Sequence, residues 1–190
     1  ANGSVWLTSN GADAFLGDST QWNDTDGDGF GDNPPPALVS DACPLISGTS
    51  SADRTGCTDT DGDGYSDADP LWLAHPTGTA DAFPNDSTQW LDSDGDGYGD
   101  DPNGTNPDAC VNDLAIGSRS SIDRFGCPDS DGDGYSDADA NWPAHPVGSA
   151  DAFPLTDSQW NDTDADGFGD EALGANPDAC LTVAGTSSHD

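Results

Sequence analysis

Residues 59–67 read DTDGDGYSD, and the same nine-residue pattern, Asp-x-Asp-x-Asp-Gly-x-x-Asp, occurs four more times. It reads DTDGDGFGD at 24–32, DSDGDGYGD at 92–100, DSDGDGYSD at 129–137 and DTDADGFGD at 162–170. Carboxylates at positions 1, 3 and 5 ahead of a turn glycine at position 6 make an oxygen-lined loop of the kind that holds calcium, with the position-7 backbone carbonyl as a further ligand. Five copies in 190 residues place both fold and function in these loops.

Composition alone describes a chain that cannot fold. The formal charge is −34, from 36 Asp, one Glu and three Arg with no Lys, and Leu, Ile, Val and Phe together number only 25. So few large apolar residues with so much charge is the mark of disorder. The spacing argues otherwise, because disordered acidic tails mix Glu and Asp in blocks. Here Asp recurs at fixed offsets beside Gly. Carboxylates brought to about 4 Å repel by roughly 4 kcal/mol per pair at an effective dielectric near 20. A small apolar core cannot offset that in five places, whereas a divalent cation can. The expected class is therefore a chain ordered by its metal ions, with binding supplying the folding free energy. The absence of a basic patch excludes nucleic acid as a partner. No apolar run has the length of a membrane span, and no signal-peptide pattern is present. The chain starts at Ala1 without an initiator Met, which reads as a processed chain or a window onto a longer one.

Cysteine usage points outside the cell. Cys43 and Cys57 lie 14 apart and Cys110 and Cys127 lie 17 apart, at corresponding places in the repeat, while Cys180 has no mate. In a highly acidic chain with little core this reads as a disulfide framework and an extracellular or cell-surface location. Zinc is the competing reading, but the cysteines occur singly and lack C-x-x-C spacing. A bridge closing about 15 residues adds roughly 3 kcal/mol in the chain-entropy model.

Repetition extends beyond the loops. DAFLGDSTQWNDTDGDG at 13–29 returns as DAFPNDSTQWLDSDGDG at 81–97 and DAFPLTDSQWNDTDADG at 151–167. Loops 1, 3 and 5 follow a Gln-Trp pair (Trp22, Trp90, Trp160) and end on Gly-Asp. Loops 2 and 4 follow Gly-Cys and continue as Tyr-Ser-Asp-Ala-Asp. The chain divides accordingly into 1–12, the end of a preceding repeat in which Trp6 matches Trp72 and Trp142; units 13–80 and 81–150 with two loops each; and a partial unit 151–190. The mate of Cys180 is expected beyond residue 190. Gly, Pro and Asp interrupt every apolar run, so only short strands or single helical turns are expected, around 37–46, 71–74 and 112–116. Flanking amphipathic helices of the EF-hand type are absent.

An EF-hand closes its coordination shell with a carboxylate at position 12. Here position 12 is Pro35, Pro70, Asn103, Ala140 or Leu173. The repeat offers another candidate after each loop, the Asp of Asp-Ala-Cys or Asp-Ala-Phe: Asp41, Asp81, Asp108, Asp151 and Asp178, with Asp13 as a copy that has no loop before it.

These motifs together resemble thrombospondin type 3 repeats, in which an Asp-rich loop runs into a Cys-Pro preceded by the last carboxylate, as in DACP at 41–44 and DAFP at 81–84 and 151–154. The resemblance covers nearly the whole chain. It implies an irregular fold with little regular secondary structure, a calcium- and disulfide-stapled repeat array shaped as an elongated rod. Two departures stand out: five to ten extra residues precede the closing Asp, and Phe alternates with Cys at the closing motif. The second departure leads us to expect Phe15, Phe83 and Phe153 to pack on Trp side chains in place of a bridge.

The expected ligand sets, for five or more Ca²⁺ ions, follow from the loops and the closing residues. They are Asp24, Asp26, Asp28, Phe30 carbonyl, Asp32 and Asp41; Asp59, Asp61, Asp63, Tyr65 carbonyl, Asp67 and Asp81; and Asp92, Asp94, Asp96, Tyr98 carbonyl, Asp100 and Asp108. The last two are Asp129, Asp131, Asp133, Tyr135 carbonyl, Asp137 and Asp151; and Asp162, Asp164, Asp166, Phe168 carbonyl, Asp170 and Asp178. Asp69, Asp101 and Asp139 are spare carboxylates for further ions. Arg54 and Arg124 are expected to orient loop carboxylates. His75 and His145, both in Ala-His-Pro, read as turn residues. Asn2, Asn23, Asn85, Asn103 and Asn161 head glycosylation sequons. With no core to form a pocket and shift carboxylate pKa values, no enzyme activity is expected. The function expected is an extracellular structural one, a calcium-rigidified stalk or filament segment able to associate with further copies of itself. The alternative is a cell-adhesion module whose Trp and Phe residues bind glycans or proteins.

Overall fold

The computed structural model describes residues 11–114 and 116–186. The chain divides into two compact units, Ala1–Leu91 and Asp92–Asp190. Regular structure is almost absent: among the described residues there is no helix, and the one sheet pairs β1 (Ser118–Arg119) with β2 (Pro128–Asp129). The two strands run antiparallel, Ser118 opposite Asp129 and Arg119 opposite Pro128. Elsewhere the backbone touches itself through single bridges: Gly31 with Ser40, Asp69 with Trp72 and Ala74 with Ala80 in the first unit, and Ala144 with Ala150 and Gly169 with Pro177 in the second. The irregular fold thus agrees with the sequence. The places do not fully agree, since 37–46, 71–74 and 112–114 carry turns, bends or lone bridges, Ala115 lies outside the described residues, and the sheet lies just beyond, at 118–129. Pairing there uses the segments either side of the Cys127 turn, which bring their own amides together without any apolar pattern to announce it.

The interior is polar. Buried apolar side chains among the described residues are Cys57, Ala80, Cys127 and Ala150, whereas Leu71, Leu155 and Leu173 stand in solvent. In place of a hydrophobic core the chain buries Gln21, Gln89 and Gln159, Ser50, Ser66, Ser120 and Ser136, and several Asp residues. Buried polar groups cost free energy unless hydrogen-bonded, and most of these are. The Ser50 hydroxyl bonds the carbonyls of Arg54 and Cys57, and Ser120 bonds Arg124 in the same place of the second unit. Both turns are locked by a bridge, Cys43–Cys57 in the first unit and Cys110–Cys127 in the second, with Cα atoms 5.1 Å apart in each. Cys180 is free and exposed.

The two loop types differ at position 8, and the structure explains why. Loops 1 and 5 carry Gly31 and Gly169, where an added Cβ would overlap the buried Gln21 or Gln159 side chain. Gln21 donates from Nε2 to the carbonyls of Asn33 (3.1 Å) and Val39 (2.5 Å) and accepts at Oε1 from the Asn33 amide (2.9 Å). Gln159 binds Glu171 and Ala175 in the same way. One amide side chain therefore gathers the whole inserted connector between loop and closing Asp. Loops 2 and 4 carry Ser66 and Ser136 instead. Each serine donates its hydroxyl to Asp53 or Asp123 (2.6 and 2.7 Å) and accepts from the Nε of Arg54 or Arg124 (3.1 and 3.3 Å). Gly169→Ala should accordingly lower stability by about 1–3 kcal/mol, as over-packing of a tight site does. Thermal melting of the calcium-loaded chain checks it; an unchanged melting temperature would refute the tight packing.

Aromatic packing follows a different pairing from the one expected. Trp90 and Trp160 stack on Tyr65 and Tyr135 of the preceding loops, with ring centroids 5.1 Å apart in both, rather than on Phe83 or Phe153. Tyr98 tilts against Phe125 at 5.8 Å. Trp72 and Trp142 lie under the guanidinium groups of Arg54 and Arg124, at 5.0 and 5.2 Å, a cation–π arrangement. Position 7 of loops 2, 3 and 4 thus points its ring at a later segment of the chain. Trp6 lies outside the described residues.

Candidate metal centres

Each loop is coiled by its own carboxylates. Asp24 accepts from the amides of Gly27 (2.7 Å) and Gly29 (3.1 Å), Asp26 from Asp28 (3.3 Å), and Asp28 from Phe30 (2.9 Å). Loops 2, 3 and 4 repeat this scheme, as Asp59 with Gly62 and Gly64 illustrates. The coil needs positive φ at positions 4 and 6, so glycine stands at position 6 throughout. At position 4 the fifth loop has Ala165, held at φ 61° where its counterparts are glycines near 84°. A side chain in that region costs on the order of 1 kcal/mol. Asp32 at position 9 closes the loop by accepting from the amide (3.1 Å) and hydroxyl (2.5 Å) of Thr25. Asp67, Asp100, Asp137 and Asp170 do the same with Thr60, Ser93, Ser130 and Thr163. The Ser/Thr at position 2, unremarked in the sequence, is the partner of the ninth-position Asp.

This coiling drives like charges together. Carboxylate oxygens of Asp24, Asp26 and Asp28 lie within 4.8 Å of one another, as do those of Asp59, Asp61 and Asp63; Asp92, Asp94 and Asp96; Asp129, Asp131 and Asp133; and Asp162, Asp164 and Asp166. Each triplet could hold a metal ion. In every loop one or more of the oxygens left over from the coil is buried without a hydrogen-bond partner: Asp26 Oδ2, Asp61 and Asp63 Oδ2, Asp94 Oδ2, Asp131 and Asp133 Oδ2, and both oxygens of Asp164, while Asp96 Oδ2 is met by the Arg119 guanidinium at 3.3 Å. The position-7 carbonyls of Phe30, Tyr65, Tyr98, Tyr135 and Phe168 accept no backbone hydrogen bond among the described residues.

The closing Asp residues come to the loops. The amides of Asp41, Asp81, Asp108, Asp151 and Asp178 each donate to the position-8 carbonyl of the preceding loop, at 2.8–3.0 Å. One oxygen of each carboxylate then accepts the amide two residues on, from Cys43, Phe83, Cys110, Phe153 or Cys180. The second oxygen of Asp41, Asp108 and Asp178 is buried and unpartnered. Burial, and then the charges of the loop's third, fifth and ninth positions, push Asp81 and Asp151 up to about 7 and Asp108 to about 6. Burial first, and then the charges of neighbouring carboxylates, push Asp133 up to about 6 and raise Asp41, Asp63 and Asp96. The expectation that no carboxylate would be perturbed without an apolar core is therefore corrected: carboxylates desolvate one another. Such a site, all oxygen, dense in charge and with unpartnered acceptors, fits a hard divalent cation such as calcium.

Other candidate residues are already engaged. Asp69 and Asp139 pair with Arg54 and Arg124 at 2.6 and 2.8 Å. Hydrogen bonding from Arg54 holds Asp69 below the usual carboxylate range, and bonds from the Asn141 amide and Arg124 do so for Asp139. These arginines thus serve carboxylates outside the nine-residue loops and the position-8 serines, not the loop carboxylates. Asp101 accepts from the amide and side chain of Asn103. All three carboxylates are thus engaged in contacts of their own. His75 and His145 sit in turns before Pro76 and Pro146, and no histidine joins a metal-holding group among the described residues. His145 Nδ1 lies 3.0 Å from the Asp162 carbonyl oxygen and 3.2 Å from its amide nitrogen. Of the sequon residues, Asn23, Asn85 and Asn103 are exposed, Asn161 is half-buried beside Glu171, and Asn2 lies outside the described residues. Among the described residues no helix is long and apolar enough to cross a membrane. Compared with known proteins, the chain matches no protein-family model and no curated protein.

Proposed function

We propose that this chain is an extracellular structural protein whose Asp-rich loops bind calcium, five ions or more, and whose fold is assembled on those ions. The observation that carries this reading is the meeting of two chain segments at each loop. Carboxylates at positions 3 and 5, with one or more buried oxygens left without a hydrogen-bond partner in every loop, are joined by a closing Asp from beyond the connector, as Asp41 joins Asp26 and Asp28. Without an ion, each meeting is a net repulsion. With one, it is a crosslink between loop and connector, and two disulfides reinforce it. Such crosslinks in series favour a stalk or filament segment of the thrombospondin type 3 kind, a repeat array stiffened by calcium, over a catalyst. Disulfides fit an oxidising, extracellular setting.

The adhesin alternative receives less support. Trp72 and Trp142 are covered by arginines, and Trp90 and Trp160 by tyrosines, so four of the aromatic side chains that would contact a glycan are used inside the fold. The test is a calorimetric titration of the metal-free chain with calcium, which should register at least five ions per chain. Heat from fewer than five sites would sink the reading that every loop is a site.

A further inference from the structure

The third loop differs from the others in one respect. In loops 1 and 5 the second oxygen of the position-5 carboxylate accepts a neutral backbone amide from the segment that follows the closing motif: Gly48 N to Asp28 Oδ2 at 3.0 Å, and Gly185 N to Asp166 Oδ2 at 2.7 Å. In loop 3 that place is taken by a charge. Arg119 Nε lies 3.3 Å from Asp96 Oδ2, and both side chains are nearly buried, with 11% and 3% of their surfaces exposed. The guanidinium is held from the other side, where Nη2 donates to the Asp113 carbonyl at 2.6 Å. Its backbone is fixed by the strand pairing of Arg119 with Pro128. Arg119 stands eight residues before Cys127, and the residue eight before Cys57 is the uncharged Thr49. Among the described residues no arginine pairs with the position-5 carboxylate of loop 2 or loop 4, and Arg54 and Arg124 pair with Asp69 and Asp139 instead.

We infer that Arg119 is a tethered counter-ion of the third calcium loop, holding that loop together when it is empty and making it the weakest of the five calcium sites. The inference rests on the calcium reading above. Asp96 Oδ2 is an oxygen that a metal ion in this loop would use, and a permanent positive charge competes for it and repels the incoming cation. A guanidinium cannot neutralise itself by losing a proton, so the penalty persists at every physiological pH. A unit charge this close to a divalent ion lowers its affinity by roughly 10- to 100-fold. Loop 3 would then fill last as calcium rises, while the remaining loops are already saturated. The chain would respond to calcium in two steps instead of one.

The experiment is a calcium titration of the full chain by calorimetry, comparing wild type with Arg119→Gln, Arg119→Lys and Thr49→Arg. Wild type should show four tight sites and one weaker by at least about tenfold. Arg119→Gln should bring the fifth site into the tight class, and adding Asp94→Asn to it should remove that gained site. Arg119→Lys should keep the weak site. Thr49→Arg, at the position matching Arg119 in the first unit, should create a second weak site, with Thr49→Gln as the control for loss of the long contact from the Thr49 hydroxyl to Asp59 of loop 2 (3.5 Å). Five equivalent sites in wild type, or an Arg119→Gln profile with the weak site unchanged or weaker, overturns the role of Arg119 while leaving calcium binding standing. No binding in any of the chains overturns both.

Discussion

Stripping calcium from this chain at pH 8 should unfold it, with the radius of gyration rising toward the roughly 47 Å of an unfolded 190-residue chain. The reason lies in the interior. With Cys57, Ala80, Cys127 and Ala150 as its buried apolar side chains, the chain has almost no hydrophobic driving force to set against five clusters of carboxylates within 4.8 Å of one another. At that distance each ionised pair repels by about 3–4 kcal/mol for an effective dielectric near 20. The two disulfides limit the expansion but do not oppose it inside the loops. Acid should partly replace calcium. Asp81 and Asp151 are pushed up to about 7, and Asp108 and Asp133 to about 6, so the fold binds protons more tightly than the unfolded chain does. The stabilisation this gives is complete below the unfolded carboxylate value near 3.9 and is lost as pH rises through 6 and 7. The metal-free chain should therefore be more compact at pH 5 than at pH 8. The calcium-loaded chain has the opposite dependence, because the ion needs the ionised carboxylates and binding releases protons. Small-angle scattering with and without chelator at the two pH values reads all four states. A metal-free chain as compact at pH 8 as the loaded one would refute ordering by the ion.

Much of this arrangement is legible in the residues, and what is not legible has a physical reason. The loops are readable because alternate carboxylates and a turn glycine are a local device, complete within nine residues. The closing Asp is readable by subtraction, since Pro35, Pro70, Asn103, Ala140 and Leu173 cannot supply the missing charge. The disulfides are readable from their matched positions. What escapes is the way the connectors are held. Gln21 and Gln159 each bind an entire inserted segment through backbone groups, and backbone partners leave no trace in side-chain patterning. Their signal was the recurring Gln-Trp pair, in which the tryptophan draws attention and the glutamine does the holding. The Gly/Ser alternation at position 8 records the same choice between a glutamine above the loop and an Asp53–Arg54 pair. Aromatic pairing escapes as well, since the Phe of Asp-Ala-Phe stands where the other closing motifs have a cysteine, while the Tyr65 ring reaches Trp90 from the loop itself.

Replacing Asp81 by Asn should move the two states of the protein in opposite directions. Asp81 is almost fully buried, follows its loop by fourteen residues, and lies among the carboxylates of Asp61, Asp63 and Asp67. Asparagine keeps the shape and the acceptor for the Phe83 amide, which Asp81 Oδ1 holds at 2.7 Å, so little else is disturbed. In the loaded chain the substitution removes one of the charges facing the ion. A loss of about 3–4 kcal/mol follows from the size of a single close charge pair at an effective dielectric near 20, or roughly a 10²- to 10³-fold weaker second site. In the metal-free chain it removes a repulsive neighbour whose carboxyl resists ionisation up to about 7, so the folded form is stabilised above that pH. The sign of each effect matters more than its size, because a residue that merely packs would weaken both states together. Asp69→Asn is the companion measurement. That carboxylate pairs with Arg54 at 2.6 Å and is not part of the Asp59, Asp61 and Asp63 group, so its loss should leave calcium affinity unchanged. Titration calorimetry on the two variants, with chelated melts alongside, separates a closing ligand from a structural carboxylate. If Asp81→Asn retains wild-type calcium affinity, the connector does not close the site, and calcium is held by the nine-residue loop alone.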